Sequence, residues 1–367
     1  MQLYTCPFED KGVSEVYLTA CPTLEKSVEE QAKEIFSALK NELESKQLSI
    51  LQERVFVTQE AVDVVRVARA SVYGSLDDGV EPTWLIIPEG KTGQISGVQV
   101  HAVGGLESPR ILSLDGKACG RIVSYGERKL MALSGLSGSG GGSDSEQAKI
   151  MLERAEAILK QEGTDFYAVA RTWMWLRDIL SWYDEFNAVR NDFFIERGLI
   201  QKAVESKMPA STGIGIGGDN DSICTMDIVA VIEPKSSIEY LDAGGNQLSA
   251  FEYGSAFSRA CSVETPAGTT VYVSGTASID HSGETTNVGK AKEQIEDTVE
   301  NVLAVFKQMN CKEDDIVHSF MYCKTREIED LYLDVCSKLK WPQFTAITDV
   351  CRDNLLFEIE ATGVVRR

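Results

Sequence analysis

The chain has 367 residues, with 36 Lys and Arg against 56 Asp and Glu, a formal net charge of −20. At roughly 100–200 residues per domain this is two or three domains, and a hydrophobic content of 43% supplies a sizeable core. The acidic balance argues against nucleic-acid binding, which needs clustered Lys and Arg, and no apolar run approaches the ~18 residues of a membrane span.

Three segments repeat one order of elements, a pattern that decides the fold when present. The first opens with the apolar strand EVYLTACP (15–22), continues into the helix EEQAKEIFSALKNEL from Glu29, and closes with the strand VQVHAVGG (98–105). The second runs from KLMALSGLS (129–137) through the helix EQAKIMLERAEAIL from Glu146 and a strand AVARTWMWL (168–176). A second helix follows, and TMDIVAVI (225–232) closes the unit. The third runs from TVYVSGTAS (270–278) through EQIEDTVENVLAVF from Glu293 and VHSFMYCKT (317–325) to FEIEATGVV (357–365). Apolar residues in the helices recur at i, i+3/i+4 and i+7, so each buries one face.

Composition shifts around 104–128 and at EPKSSIEYLDAGGNQ (233–247) divide the chain into units 1–115, 116–235 and 248–367. The tract SGSGGGSDS (137–145) reads as a flexible loop inside the second unit. A β-β-α-β-α-β-like order places two helices on one face of a sheet and leaves the other face bare. Three copies can bury those bare faces against one another. The expected fold is therefore α+β: three tandem units forming an intramolecular pseudo-trimer, with a barrel-like centre and helices outside. Further assembly is left open.

The nine cysteines are scattered, odd in number and without a C-x-x-C or Cys/His metal spacing. They predict reduced core thiols and no metal site. The N-terminus MQLYTCPFEDKG has no basic n-region ahead of an apolar stretch. Together these features predict a cytoplasmic protein.

Several of these segments carry a resemblance. Ser134-Gly135, Ser274-Gly275, the Glu-Gln helices, PASTGIG (209–215) and the ending FEIEATGVVRR (357–367) are similar to the RidA (YjgF-like) superfamily. The likeness covers the second and third units well and the first weakly. It implies homotrimer-like packing with active sites in clefts between units, and cofactor-free hydrolysis of enamines or imines to ketoacids and ammonia. The third unit also resembles the C-terminal part of chorismatases, at FSRA (257–260), SGTASI (274–279) and DVCRDNLLFEIE (349–360). Those enzymes share the fold and cleave the enolpyruvyl ether of chorismate.

The resemblance assigns candidate residues. Glu358 falls where both families place a catalytic or water-positioning glutamate. Strand alternation puts Glu358 and Glu360 on one face, and a cleft carboxylate can activate water or protonate an enol or enamine carbon. Asn187 corresponds to a cleft-lining Asn on the second helix, with Tyr183 one turn earlier on the same face. Cys351 matches a chorismatase-like cysteine and reads as pocket-lining. Ser211 and Thr212, in the Gly-rich PASTGIGIGG (209–218), and Ser274-Gly275 can offer hydroxyls or amides to a ligand.

RidA proteins bind the substrate carboxylate with an Arg in a Pro-x-Arg turn, and here the turns read Pro209-Ala210-Ser211 and Pro342-Gln343-Phe344. Another cation must serve: Arg171, Arg190, Arg259 or Arg352, with Lys324 as a point charge. The first unit lacks Ser-Gly, the Pro-Ala turn and the Glu, and has Val98, Val100 and His101 in that neighbourhood. It reads as a degenerate copy, leaving one catalytic cleft between Glu358 and second-unit groups such as Arg171 and Asn187.

The functional expectation is a cofactor-free hydrolase acting on a small carboxylated metabolite, either an enamine or imine or an enolpyruvyl compound. The alternative is a non-catalytic RidA-like protein that binds a metabolite or a partner. Ribonuclease activity is disfavoured by the −20 charge.

Overall fold

In a computed structural model, residues 1–201, 207–244 and 246–365 are described. Gly245 of the second linker and the last two residues of the closing motif lie outside them. The first stretch of chain forms β1 (Gln2–Asp10), β2 (Val13–Cys21), α1 (Val28–Ser45), β3 (Ser49–Val57), α2 (Val62–Tyr73), β4 (Thr83–Ile86) and β5 (Ile95–Gly104). The second forms β6 (Arg110–Leu114), β7 (Lys117–Tyr125), β8 (Arg128–Ser137), α3 (Asp144–Gln161), β9 (Val169–Leu176), α4 (Ile179–Glu196), β10 (Ala210–Ile214), β11 (Gly217–Gly218) and β12 (Cys224–Ile232). The third forms β13 (Glu239–Leu241), β14 (Ala260–Thr265), β15 (Gly268–Ala277), α5 (Ala291–Gln308), β16 (Ile316–Cys323), α6 (Arg326–Val335), β17 (Thr345–Ile347) and β18 (Phe357–Val365).

These strands make three six-stranded sheets, ordered β1-β2-β5-β3-β4-β11, β10-β9-β12-β8-β7-β6 and β13-β14-β15-β18-β16-β17. In each sheet one pair is parallel (β3·β4, β9·β10, β16·β17) and the other ladders are antiparallel. The expected barrel-like centre is realised without a closed barrel. Each sheet keeps its own two edges, and side chains fill the middle instead of a continuous ladder. PASTGIG is a strand paired in parallel with β9, where Gly213 and Gly215 admit the Tyr183 ring and the Asp349 backbone.

The recurring glutamine of the first helix in each unit has a structural reason. Gln147 accepts from Ile223 N at 3.0 Å and from Ser222 Oγ at 2.8 Å, pinning the turn into β12. Gln294 accepts from Leu356 N and donates to Asn354 O, both at 2.9 Å, pinning the turn into β18. Gln31 reaches Thr23 O and Lys26 O on its own side instead, so the first unit lacks this clasp on its closing strand. The helices α1 and α3 start at Ser27/Glu30 and Ser143/Glu146 capping boxes, which satisfy the end amides reciprocally.

Each sheet packs its helices over a core of its own, and a fourth core joins all three sheets. Phe56 of β3, Trp175 of β9 and Phe320 of β16 meet there, with Phe56 stacked on Phe320 at 4.4 Å and edge-on to Trp175 at 6.0 Å. Burying these bare faces is the main driving force for holding the units together. Beside this apolar plug lies a polar layer. Arg54 pairs with Asp227 at 2.9 Å and lies 3.5 Å over the Trp173 ring, whose indole N–H donates to Glu360 at 2.8 Å. His101 meets Glu15 at 3.0 Å, and burial holds His318 down at about 3, hence neutral.

Candidate active site

Strand register identifies the corresponding positions of the three clefts. On the closing strands, Glu358 lies opposite Tyr322, Thr225 opposite Trp175 and Gly97 opposite Phe56. One cleft therefore carries a carboxyl, one a hydroxyl and one no side chain. The third is filled: a Cβ on Gly97 would lie 2.8 Å from the Phe344 ring.

The carboxyl cleft, between the second and third units, holds a cavity of about 110 Å³. Glu358 is 4% exposed and lines it. Burial, reinforced by the Glu360 carboxylate, pushes its carboxyl from 4.5 up to about 8, against the opposing pull of Arg171 and Arg259. Loss of hydration disfavours the charged form. The glycine of Ser-Gly makes this placement possible, since a Cβ at Gly275 would fall 2.1 Å from Glu358 Oε1.

Arg259 and Arg352, from two of the three chorismatase-like stretches, line the same cavity. Arg259 is fixed by donating twice to Leu248 O, at 3.0 and 2.8 Å, and Arg352 by donating to Gly283 O at 2.7 Å. From the second unit come Tyr183, Asn187 and Ser211. Asn187 accepts from Arg190 at 2.6 Å, which turns its NH₂ end away from the guanidinium as the available donor. Burial pushes the Tyr183 phenol up to about 12, so it stays a proton-bearing donor. Cys351 lines the wall, and burial with the nearby Glu358 pushes its thiol up to about 12. A protonated thiol is a poor nucleophile.

Five predicted residues take other places. Arg171 does not line this cavity. It is 2% exposed in the central polar layer, donating to Glu360 at 2.8 Å and to Thr212 Oγ1 at 2.5 Å. Thr212 is used there and by Gly275 N at 3.0 Å. Arg190 stands behind Asn187 as its support. The Ser274 hydroxyl is consumed between units, donating to Ser258 O at 2.6 Å and accepting from Ser211 N at 2.8 Å. Lys324 lies 3.6 Å from both Asp349 and Asp353, away from the cavity.

Gly213, Ala277 and Ile279 complete the lining with Phe257, Ser255 and Asp184, and the last three were missed. Phe257 and Asp184 adjoin residues already singled out, so the signal was adjacency. Ser255 had none. Among the described residues no helix is long and apolar enough to cross a membrane.

The same architecture occurs in known proteins. Residues 249–365 match the family model described as Endoribonuclease L-PSP. A chorismatase crystal structure superposes along 99% of this chain and 98% of its own, with 20% identity and a TM-score of 0.62. A member of the conserved Rid protein family from Yersinia pestis aligns with 35% of this chain and 100% of its own, at 21% identity and a TM-score of 0.29. Yeast Mmf1 aligns with 35% of this chain and 100% of its own, at 18% identity and a TM-score of 0.29. No curated protein matches in sequence. Residues 249–365 are thus similar to the L-PSP family, and the chain as a whole is similar in fold to a chorismatase.

Proposed function

We propose that this protein is a cofactor-free enzyme that hydrolyses a small 2-substituted acrylate, an enol ether of the chorismatase type, with Glu358 as general acid. The observation that carries the reading is Glu358 itself: a buried carboxyl at about 8 in a cleft that also holds two guanidinium groups. A carboxyl that keeps its proton at neutral pH is equipped to give it to carbon. Glu358 protonates the terminal CH₂ of the substrate, and positive charge develops at the carbon bearing the ether oxygen. Water adds to that carbon and returns a proton to the Glu358 carboxylate. The hemiketal then collapses to pyruvate and an alcohol. Arg259 and Arg352 bind the substrate carboxylate in place of the Arg missing from the Pro-Ala-Ser turn, and the Asn187 amide offers a further donor.

The enol-ether form is preferred because Phe257, Arg259, Cys351 and Arg352, all from chorismatase-like stretches, converge on this cavity. An enamine, with nitrogen in place of the ether oxygen, meets the same acid and would release ammonia. The test offers chorismate and freshly generated 2-aminoacrylate to the protein and to Glu358→Gln, with pyruvate and ammonia measured in parallel. Pyruvate from chorismate, reduced about 10²–10⁴-fold in the variant, is expected. Accelerated release of ammonia and pyruvate from 2-aminoacrylate, with no pyruvate from chorismate, would move the assignment to the enamine. Binding without turnover of either would replace it with a metabolite-binding role.

A further inference from the structure

The cleft between the first and second units is larger than the carboxyl cleft, with a cavity of about 590 Å³. That is the size of small-molecule sites in general. It is the positional counterpart of the Glu358 cleft, with Ser134-Gly135 in place of Ser274-Gly275 and Thr225 in place of Glu358.

Two polar groups in its wall have work left undone. The Ser134 hydroxyl belongs to a residue 6% exposed, lines the cavity and has no hydrogen-bond partner. Its counterpart Ser274 has both bonds filled, so the difference is local and not a property of the motif. Arg154 of α3 reaches the same cavity. Its recorded partners, the Ser137 carbonyl and hydroxyl and the Ser139 hydroxyl, are neutral and all meet one nitrogen, Nη1. No carboxylate pairs with it among the described residues. Two of the three acids in the lining, Glu81 and Asp219, are already engaged by Arg66 of the opposite wall. Leu114, Ala118 and Leu136 give the cavity an apolar side.

An unpartnered guanidinium edge, a buried orphan hydroxyl and an apolar wall fit an organic anion: a carboxylate or phosphate at Arg154 and Ser134, with an apolar body against the leucines. We propose that this cleft is a second binding site, for a small amphipathic organic anion. With Thr225 where the acid would stand, it binds its ligand without converting it. The inference is independent of the reaction assigned to the Glu358 cleft.

The probes are benzoate and phenyl phosphate, titrated calorimetrically against the full chain, Arg154→Gln, Ser134→Ala and Glu358→Gln. Saturable binding of at least one probe is expected. It should be weakened at least tenfold by Arg154→Gln, several-fold by Ser134→Ala, and unaffected by Glu358→Gln. Ser134→Ala guards against misfolding as an explanation, because its hydroxyl makes no bond in the free protein and its melting temperature should hold or rise. Preference between the probes separates a carboxylate from a phosphate ligand. Absence of binding by both, or binding that ignores Arg154→Gln and Ser134→Ala, overturns the proposal.

Discussion

A buried acid held at about 8 must weaken the fold as pH rises, and Glu358→Gln measures by how much. Below pH 4.5 both the folded and the unfolded chain carry the Glu358 proton, and the residue costs nothing electrostatically. Above 4.5 the unfolded chain ionises while the folded one holds its proton until about 8. Stability is therefore present at low pH and lost progressively across that window. Each pH unit within it is worth about 1.4 kcal/mol. Gln has a similar shape and no proton to lose. The variant should thus gain on the wild type by about 3 kcal/mol between pH 5.5 and pH 8.5. The lower limit keeps clear of the isoelectric point near 4.7. Urea unfolding of both proteins at the two pH values reads the widening gap directly. A gap constant within about 0.5 kcal/mol would mean that Glu358 ionises normally in the fold, and the acid role would fall with it. In the wild type, kcat/KM should hold from pH 6 to 7.5 and fall about tenfold per unit above 8.

Gly275→Ala should cost kcat/KM at least ~10²-fold, because its Cβ would stand 2.1 Å from Glu358 Oε1 and displace the carboxyl; steady-state kinetics checks this. Glu360→Gln removes the charge that helps keep Glu358 protonated and leaves Arg171 buried without its counter-charge. The alkaline limb of the pH profile should move to lower pH, and stability should fall by about 3–5 kcal/mol in urea unfolding. Cys351→Ala should keep kcat within a few-fold, since its thiol, pushed up to about 12, is not the nucleophile. A loss beyond about 10²-fold would restore covalent catalysis by that thiol.

Legibility followed the range of the interactions. Glu358, Cys351 and Arg352 sit within one short C-terminal stretch, so their common cavity could be anticipated from it. The helix periodicity that fixed the buried faces is likewise local. Arg171 was different. Its place at the head of an apolar strand signalled a buried cation with a purpose, but its partner Glu360 lies 189 positions away on another sheet. Alternation gives the face a side chain occupies and says nothing about which unit faces it. Ser274 failed for the same reason: its hydroxyl donates to Ser258 O within its own unit and accepts from Ser211 N across the unit boundary. Arg154 carries no signal in the sequence, because nothing along α3 reveals a cavity made by a neighbouring unit. The short edge strands β6, β13 and β17 carry too few residues for a period-2 pattern to show.

The missing Pro-x-Arg arginine connects the three clefts. At the third residue of that turn the second unit has Ser211, which faces the carboxyl cavity, and the third unit has Phe344, which fills the cleft at Gly97. The small residue leaves room for Arg259 and Arg352 to enter from the third unit. The large one closes a cleft that has no acid to serve. Covalent linkage of the units is what allows such divergence, since a homotrimer must repeat each residue in every cleft. It also limits a physical cost. One buried acid at about 8 lowers stability by about 3 kcal/mol at pH 7, and three would lower it by about 10, comparable to the whole stability of a typical domain. Confining the acid to one cleft lets the second keep a hydroxyl and an open cavity, while the third becomes part of the core.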